Sequence, residues 1–137
     1  MKISLSVTEL TKVFKEMQAQ PERIFEVIRT EMNQGVGEYL SELMRTELSH
    51  FLGREPYERK EGETNHRNGS YERRFAMKRF GEVTVEVPRD REGEFRSGVL
   101  PRSKRYEDEL RKDICLMYLT GVSTRTLSMI SKQLLGR

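Results

Sequence analysis

The residues best suited to chemistry in this chain are cations set among aromatic and β-branched side chains between His66 and Phe95. The run reads HRNGSYERRF, then AMKRFGEVTVEV, then PRDREGEF. Basic residues alternate with apolar ones at strand spacing, a turn sits in the middle, and a charged Pro-led turn closes the unit. A short β-hairpin studded with arginines points to nucleic acid.

Other chemistries find little support. One cysteine and two histidines, His50 and His66, exclude a disulfide framework and a tetrahedral zinc site of N and S ligands. Neither histidine has a partner at ligand or triad spacing, and both read as ordinary polar residues. Cys115 falls inside an apolar helical pattern, DICLMYL, where a buried structural thiol is expected. No catalytic and no metal-binding residue is predicted. No apolar run approaches the roughly 18 residues of a membrane span, and MKISLSVTEL lacks the core of a signal peptide. A cytoplasmic, nucleoid-associated protein with no membrane partner is expected.

Composition bounds the fold. The 137 residues are 35% hydrophobic and 34% charged, so small separate clusters are expected rather than one large core. The net charge of +3 is unevenly spread, with −2 over residues 1–50, +4 over 51–106 and +1 beyond. The basic excess lies in the middle, where a phosphate backbone could use it; the plainer reading is a solvated surface of mixed charge.

The elements that position the cations follow from periodicity. Ser6 and Glu9 form a capping box, and Leu10, Val13, Phe14 and Met17 recur on one helical face. Pro21 suits the first turn of a second helix, which carries Ile24, Phe25, Ile28 and Met32. Gly35 and Gly37 predict a break or bend, at a cost of about 1 kcal/mol each relative to Ala. The stripe resumes from Val36 to Phe51, and Gly53 is a natural stop. Residues 1–53 thus form a helical region whose apolar face serves dimerisation or docking, or else an ordinary core.

Residues 54–70 read as an exposed linker, so 54–103 is a basic linker plus hairpin. Pairing Arg79 with Val83, Met77 with Val85 and Phe75 with Val87 leaves Phe80-Gly81-Glu82 as the loop. That register turns Arg74 and Lys78 outward, and Pro88 ends the second strand. Residues 104–137 carry two helices, with Glu107, Asp108 and Glu109 at the positive end of the first. Gly121 ends that helix and Ser123 caps the next, the opening of a helix-turn-helix. The expected fold is mainly α with a small antiparallel β-hairpin: N-terminal helices, hairpin, then an incomplete helix-turn-helix.

Four blocks in order carry a resemblance: FLGREPYER (51–59), HRNGSYER (66–73), VPRDREGEF (87–95) and LMYLTGVSTRTLSMI (116–130). The chain resembles the amino-terminal portion of the Mutator-type transposases of bacterial insertion sequences. The resemblance implies DNA recombination, with the element's terminal inverted repeats as partner. It also implies an RNase-H-like catalytic domain in full-length members, where two divalent ions such as Mg2+ on an Asp, Asp, Glu triad cut and join DNA ends. Asp90, Asp108 and Asp113 lie in the DNA-binding part and are assigned to no triad, so no cofactor is expected for this chain. By the family pattern, Gly136 and Arg137 end the chain just before the helix that would enter the major groove. A truncated product without strand-transfer chemistry is expected, with Leu134 and Leu135 left exposed.

The DNA-contact candidates are Arg73, Arg74, Lys78 and Arg79 on the hairpin, with Arg67 and Asn68 in the turn before it. Alternatively they neutralise Glu58, Glu61, Glu63, Glu72 and Glu82 in surface pairs worth about 0–1 kcal/mol each. Arg89, Asp90, Arg91 and Glu92 read as a salt-bridged clasp fixing the hairpin, with Arg91 also a phosphate candidate. Ser123, Thr124 and Arg125, at a helix N-terminus, suit backbone positioning or simple capping. The rival function is a stand-alone regulator whose helices 7–52 pair with an intact transposase and inhibit it; a homo-oligomer is a further partner. A folded remnant without a selected role is a third reading.

Overall fold

The computed structural model describes residues 4–135 of the chain. The expectations attached to Gly136, Arg137 and the side chain of Leu135 lie outside the described residues. In order come α1 (Val7–Ala19), a 3-10 turn (Pro21–Arg23), α2 (Ile24–Leu52), β1 (Arg67–Met77), β2 (Gly81–Asp90), α3 (Asp108–Leu119) and α4 (Thr124–Leu135). The mainly α fold with one antiparallel hairpin is as the sequence indicates. No described helix is long and apolar enough to cross a membrane. The chain divides into two compact units, residues 1–32 and 33–137.

In the first unit the capping box forms: the Glu9 N–H donates to Ser6 Oγ at 3.2 Å, and the Ser6 N–H donates to Glu9 Oε2 at 2.7 Å. Leu10, Phe14, Phe25, Ile28 and Met32 are all exposed there.

The second unit is organised by the hairpin. Phe75, Val83, Val85 and Val87 share one buried face and pack with Met44 and Leu100. Burying Val83 and Val85 contributes roughly 1.5–3 kcal/mol each. Val36 and Leu40 complete the contact from α2. A satellite cluster of Leu48, Leu52 and Phe95 lies farther along α2, with the Phe51 and Phe95 rings 5.6 Å apart.

Five expectations need correction. First, α2 is unbroken through Gly35 and Gly37. Gly37 is buried against β2, where an added Cβ would stand 2.2 Å from the Thr84 carbonyl oxygen, so close packing offsets its poor helix propensity. Second, the hairpin register is shifted by four: Phe75 faces Val83, Arg73 faces Val85 and Tyr71 faces Val87, which leaves Lys78-Arg79-Phe80 as the loop. The even shift keeps the same faces, so alternation could not distinguish the two registers. Positive φ at Arg79 (73°) and Gly81 (79°) makes the chain reverse earlier than expected. Third, β1 starts at Arg67, inside the stretch assigned to linker, with an irregularity between Arg67 and Ser70. Fourth, β2 continues through Pro88 to Asp90; Pro88 faces Ser70 beside that irregularity, where a missing donor is tolerated. Fifth, Cys115 is exposed rather than buried, because Ile114 and Met117 occupy the sheltered side of α3.

The segment before α3 and α3 itself both reach the end of β1. Ala76 is fully buried, and Lys78, two residues along the same face, reaches Asp113 at 2.9 Å and Glu109 at 3.8 Å. α4 is capped by Ser123, whose Oγ accepts from the Thr126 N–H at 3.2 Å.

The two neighbouring glycines of α2 give opposite expectations. Gly35 has nothing within 4 Å of an added Cβ, so Gly35→Ala should stabilise by about 0.5–1 kcal/mol. Gly37→Ala should destabilise by about 1–3 kcal/mol through forced separation of helix and strand, despite the same gain in propensity. Thermal melts followed by circular dichroism check the opposite signs.

Candidate nucleic-acid interface

The cations predicted for DNA contact divide into two sets. Two guanidiniums are committed to main-chain carbonyls. Arg67 Nη2 donates to the Arg54 carbonyl at 2.6 Å and to Ser49 Oγ at 3.0 Å. Arg73 Nη1 donates to the carbonyls of Pro101 at 3.0 Å and Leu100 at 3.3 Å, and its Nη2 donates to that of Lys104. Two more cations meet carboxylates: Arg74 lies 3.4 Å from Glu82, and Lys78 pairs with Asp113 and Glu109 as above. The Asp113 hydrogen bond and charge raise the Lys78 ammonium above its ordinary pKa.

The remaining candidates are open. Asn68, Arg79, Arg91, Ser123, Thr124 and Arg125 are exposed. Arg91 is anchored through its main chain, its N–H donating to the His66 carbonyl at 2.7 Å. The structure therefore brings the candidates together as one hairpin and one helix end, but not as a single basic ribbon. The outer face of the hairpin is mostly acidic. Glu72 stands directly opposite Glu86, a repulsive arrangement relieved where Arg45 reaches Glu86 at 2.6 Å.

The clasp around Asp90 forms, but with neutral donors in place of salt bridges. Asp90 is only 5% exposed. It accepts from Asn65 Nδ2 at 2.8 Å and from the N–H groups of Glu94 at 2.9 Å and Phe95 at 3.2 Å. Burial pushes this carboxyl up; the hydrogen bonds from Asn65, Glu94 and Phe95 outweigh it and hold the pKa below the ordinary value. Arg54 is likewise buried, donating to the Asn65 carbonyl and facing His66 Nδ1 at 2.8 Å.

Sequence reasoning missed three further residues. Glu47 clamps the loop after β2, accepting from Ser97 Oγ, from the Gly98 N–H at 2.9 Å and from the Val99 N–H at 3.3 Å. Arg96 and Arg102 line a cleft with Arg89. No spacing signal links Glu47 to residues 97–99, about fifty positions away in the chain. For Arg102 the one available signal was the lack of an acidic residue three or four positions away; Arg96, with Glu92 four positions before it, carried none.

Among the described residues no three His, Cys, Asp or Glu side chains are grouped to hold a metal ion. Asp90 is committed to the clasp, Asp108 pairs with Lys104 at 2.8 Å and Asp113 pairs with Lys78. These residues do not fit a two-ion centre, and no step of strand transfer is derived from them.

Fold and site together define an α-rich module built around a clasped hairpin with an arginine-lined end. The profile of the family described as "Transposase, Mutator family" matches residues 3–137, and the chain belongs to that family. It is 37% identical over 131 residues to the transposase for insertion sequence element IS905 of Lactococcus lactis, covering 95% of this chain and 32% of that protein. It is 34% identical over 131 residues to the transposase for IS1201 of Lactobacillus helveticus, covering 95% and 34%. With the transposase for IS256 in transposon Tn4001 of Staphylococcus aureus it shares 38% over 97 residues, covering 71% and 25%. The chain spans about a third of the length of the first two relatives.

The clasp has a pH signature. A depressed folded pKa means that Asp90 stabilises the fold above its unfolded pKa, about 3.9, and loses that contribution as pH falls through the lower folded value. Asp90→Asn should cost about 1–3 kcal/mol at neutral pH. Its deficit against the wild type should shrink in urea titrations run at progressively lower pH below about 4.

Proposed function

We propose that this chain is a DNA-binding portion of a Mutator-type transposase that engages duplex DNA at the ends of an insertion sequence. The observation that carries the reading is the division of cations. Arg67 and Arg73 serve the fold, whereas Arg79, Arg91 and Arg125 are exposed and, among the described residues, form no ion pair. Family membership supports it, as does the α3–turn–α4 arrangement, in which Ser123, Thr124 and Arg125 form the exposed start of α4. The contact set proposed is Asn68, Arg79, Arg91, Ser123, Thr124 and Arg125. Arg74 and Lys78 would have to exchange existing carboxylate partners. Strand transfer and its divalent ions are assigned to parts of longer family members other than the residues described.

A second reading rests on the exposed apolar side chains of residues 1–32, Phe14 (52%) and Phe25 (74%) among them. In it, these helices pair with an intact transposase or with a second copy.

Fluorescence anisotropy of the full chain with a duplex bearing the element's end, and with an unrelated duplex of equal length, tests the first reading. With about three phosphates neutralised by Arg79, Arg91 and Arg125, affinity should fall roughly fortyfold between about 50 and 200 mM salt. Absence of binding to either duplex at about 50 mM salt, together with co-purification with an intact transposase, would overturn it in favour of the second.

A further inference from the structure

A cleft of about 70 Å³ opens where β2 leaves the hairpin, lined among others by Tyr71, Arg89, Arg96, Ser97 and Arg102. Three guanidiniums border one concavity, and among the described residues none of them forms an ion pair. Asp90 is the one carboxylate in the lining, and both its oxygens are already committed to Asn65, Glu94 and Phe95. Three guanidiniums against the one carboxylate of Asp90 leave the lining net positive.

Two of the three guanidiniums, those of Arg89 and Arg96, are also held in place. Arg89 lies over the Tyr71 ring, 5.8 Å from its centroid, a contact that restrains the cation without consuming its donors. Among the described residues Arg96 uses only Nη1, on the carbonyls of Gly93 at 2.7 Å and Phe95 at 2.9 Å. Its Nε and Nη2 are left for another acceptor. The loop carrying Arg96 and Arg102 has no regular secondary structure, yet Asp90 fixes it at residues 94–95, Glu47 at 97–99, and Arg73 at 100, 101 and 104. Cations on a restrained loop lose little further entropy on binding. The planar fork of arginine matches a tetrahedral oxyanion in two-point contact. The volume exceeds the roughly 10–15 Å³ that a single bound water requires.

We propose that Arg89, Arg96 and Arg102 form a phosphate-binding cleft that grips one phosphate of a nucleic-acid backbone. The inference rests on the DNA-binding reading for the source of the phosphate, and on the cleft alone for the chemistry. None of the three residues belongs to the contact set given above.

The test compares the full chain with the triple variant Arg89→Gln/Arg96→Gln/Arg102→Gln and with the control Arg125→Gln, each first shown to melt cooperatively. In the first arm, duplex affinity is followed against salt. The triple variant should bind more weakly for every sequence, and the slope of log K against log salt should fall by about 1. In the second arm, inorganic phosphate replaces chloride at constant ionic strength. It should raise the melting temperature of the wild type and of Arg125→Gln but not of the triple variant. Should the triple variant destabilise the fold, the single changes at exposed Arg89 and Arg102 provide the same readouts. If the wild type fails to bind duplex but phosphate stabilises it through the cleft, the DNA reading falls and a free phosphate compound is the ligand. If duplex binding persists with an unchanged slope in the triple variant, and phosphate has no selective effect, the cleft is overturned while the DNA reading stands.

Discussion

A two-stranded sheet has two open edges and is marginal alone in water; the second unit of this chain depends on closing both. On the β2 side, α2 lies along the strand with Gly37 against the Thr84 carbonyl. One turn on, Ser41 Oγ accepts from the Glu86 N–H at 2.9 Å while donating to the Gly37 carbonyl at 2.7 Å. Only small residues at these two positions let helix and strand approach so closely. On the β1 side, Ala76 donates to the Arg105 carbonyl at 3.0 Å and accepts from the Glu107 N–H at 2.9 Å. Both closures have consequences beyond the edges. The first sets Val36, Leu40 and Met44 over the apolar face. The second delivers the chain into α3, where Glu107 also accepts from the Lys78 N–H at 2.8 Å.

A chain with only 35% hydrophobic residues must hold its irregular segments by other means. Here charged side chains satisfy main-chain groups. Asp90 and Glu47 accept from loop N–H groups, while Arg54, Arg67 and Arg73 donate to loop carbonyls. Hydrogen bonds to charged groups contribute about 1.5–3 kcal/mol, more than neutral ones, so five such residues can replace a sizeable apolar cluster. The cost is that cations serving the fold are lost to any ligand.

That substitution explains what the sequence made legible. Local signals were read well: the Ser6–Glu9 box, the periodic faces of α1, α3 and α4, and the existence of the hairpin all depend on residues a few positions apart. The failures were non-local. Nothing within residues 35–37 reveals Thr84, and strand alternation is equally satisfied by registers four residues apart. At the candidate site, alternation marked Arg73 and Arg79 alike. The first is consumed by carbonyls nearly thirty positions away, and the second sits exposed at the hairpin tip. Only the fold distinguishes a structural arginine from an available one.

The same sorting gives the proposed interface a sidedness. Among the described residues, Glu72, Glu82 and Glu86 lie along the outer face of the hairpin with Glu42 of α2 nearby, against the cations Arg45 and Arg74. A polyanion brought to that face would meet carboxylates already in like-charge opposition, so the approach is unfavourable at the ionic strengths where backbone contacts matter most. Among the described residues, arginines without an ion pair include Arg79 at the tip, Arg125 at the start of α4, and Arg89, Arg91, Arg96 and Arg102 where β2 leaves the sheet. A phosphate backbone engaging this unit is therefore directed to the ends of the hairpin rather than across its strands. On the proposed DNA-binding reading the hairpin would serve as a spacer between basic sites, a role different from the ribbon reader that its alternating arginines suggest.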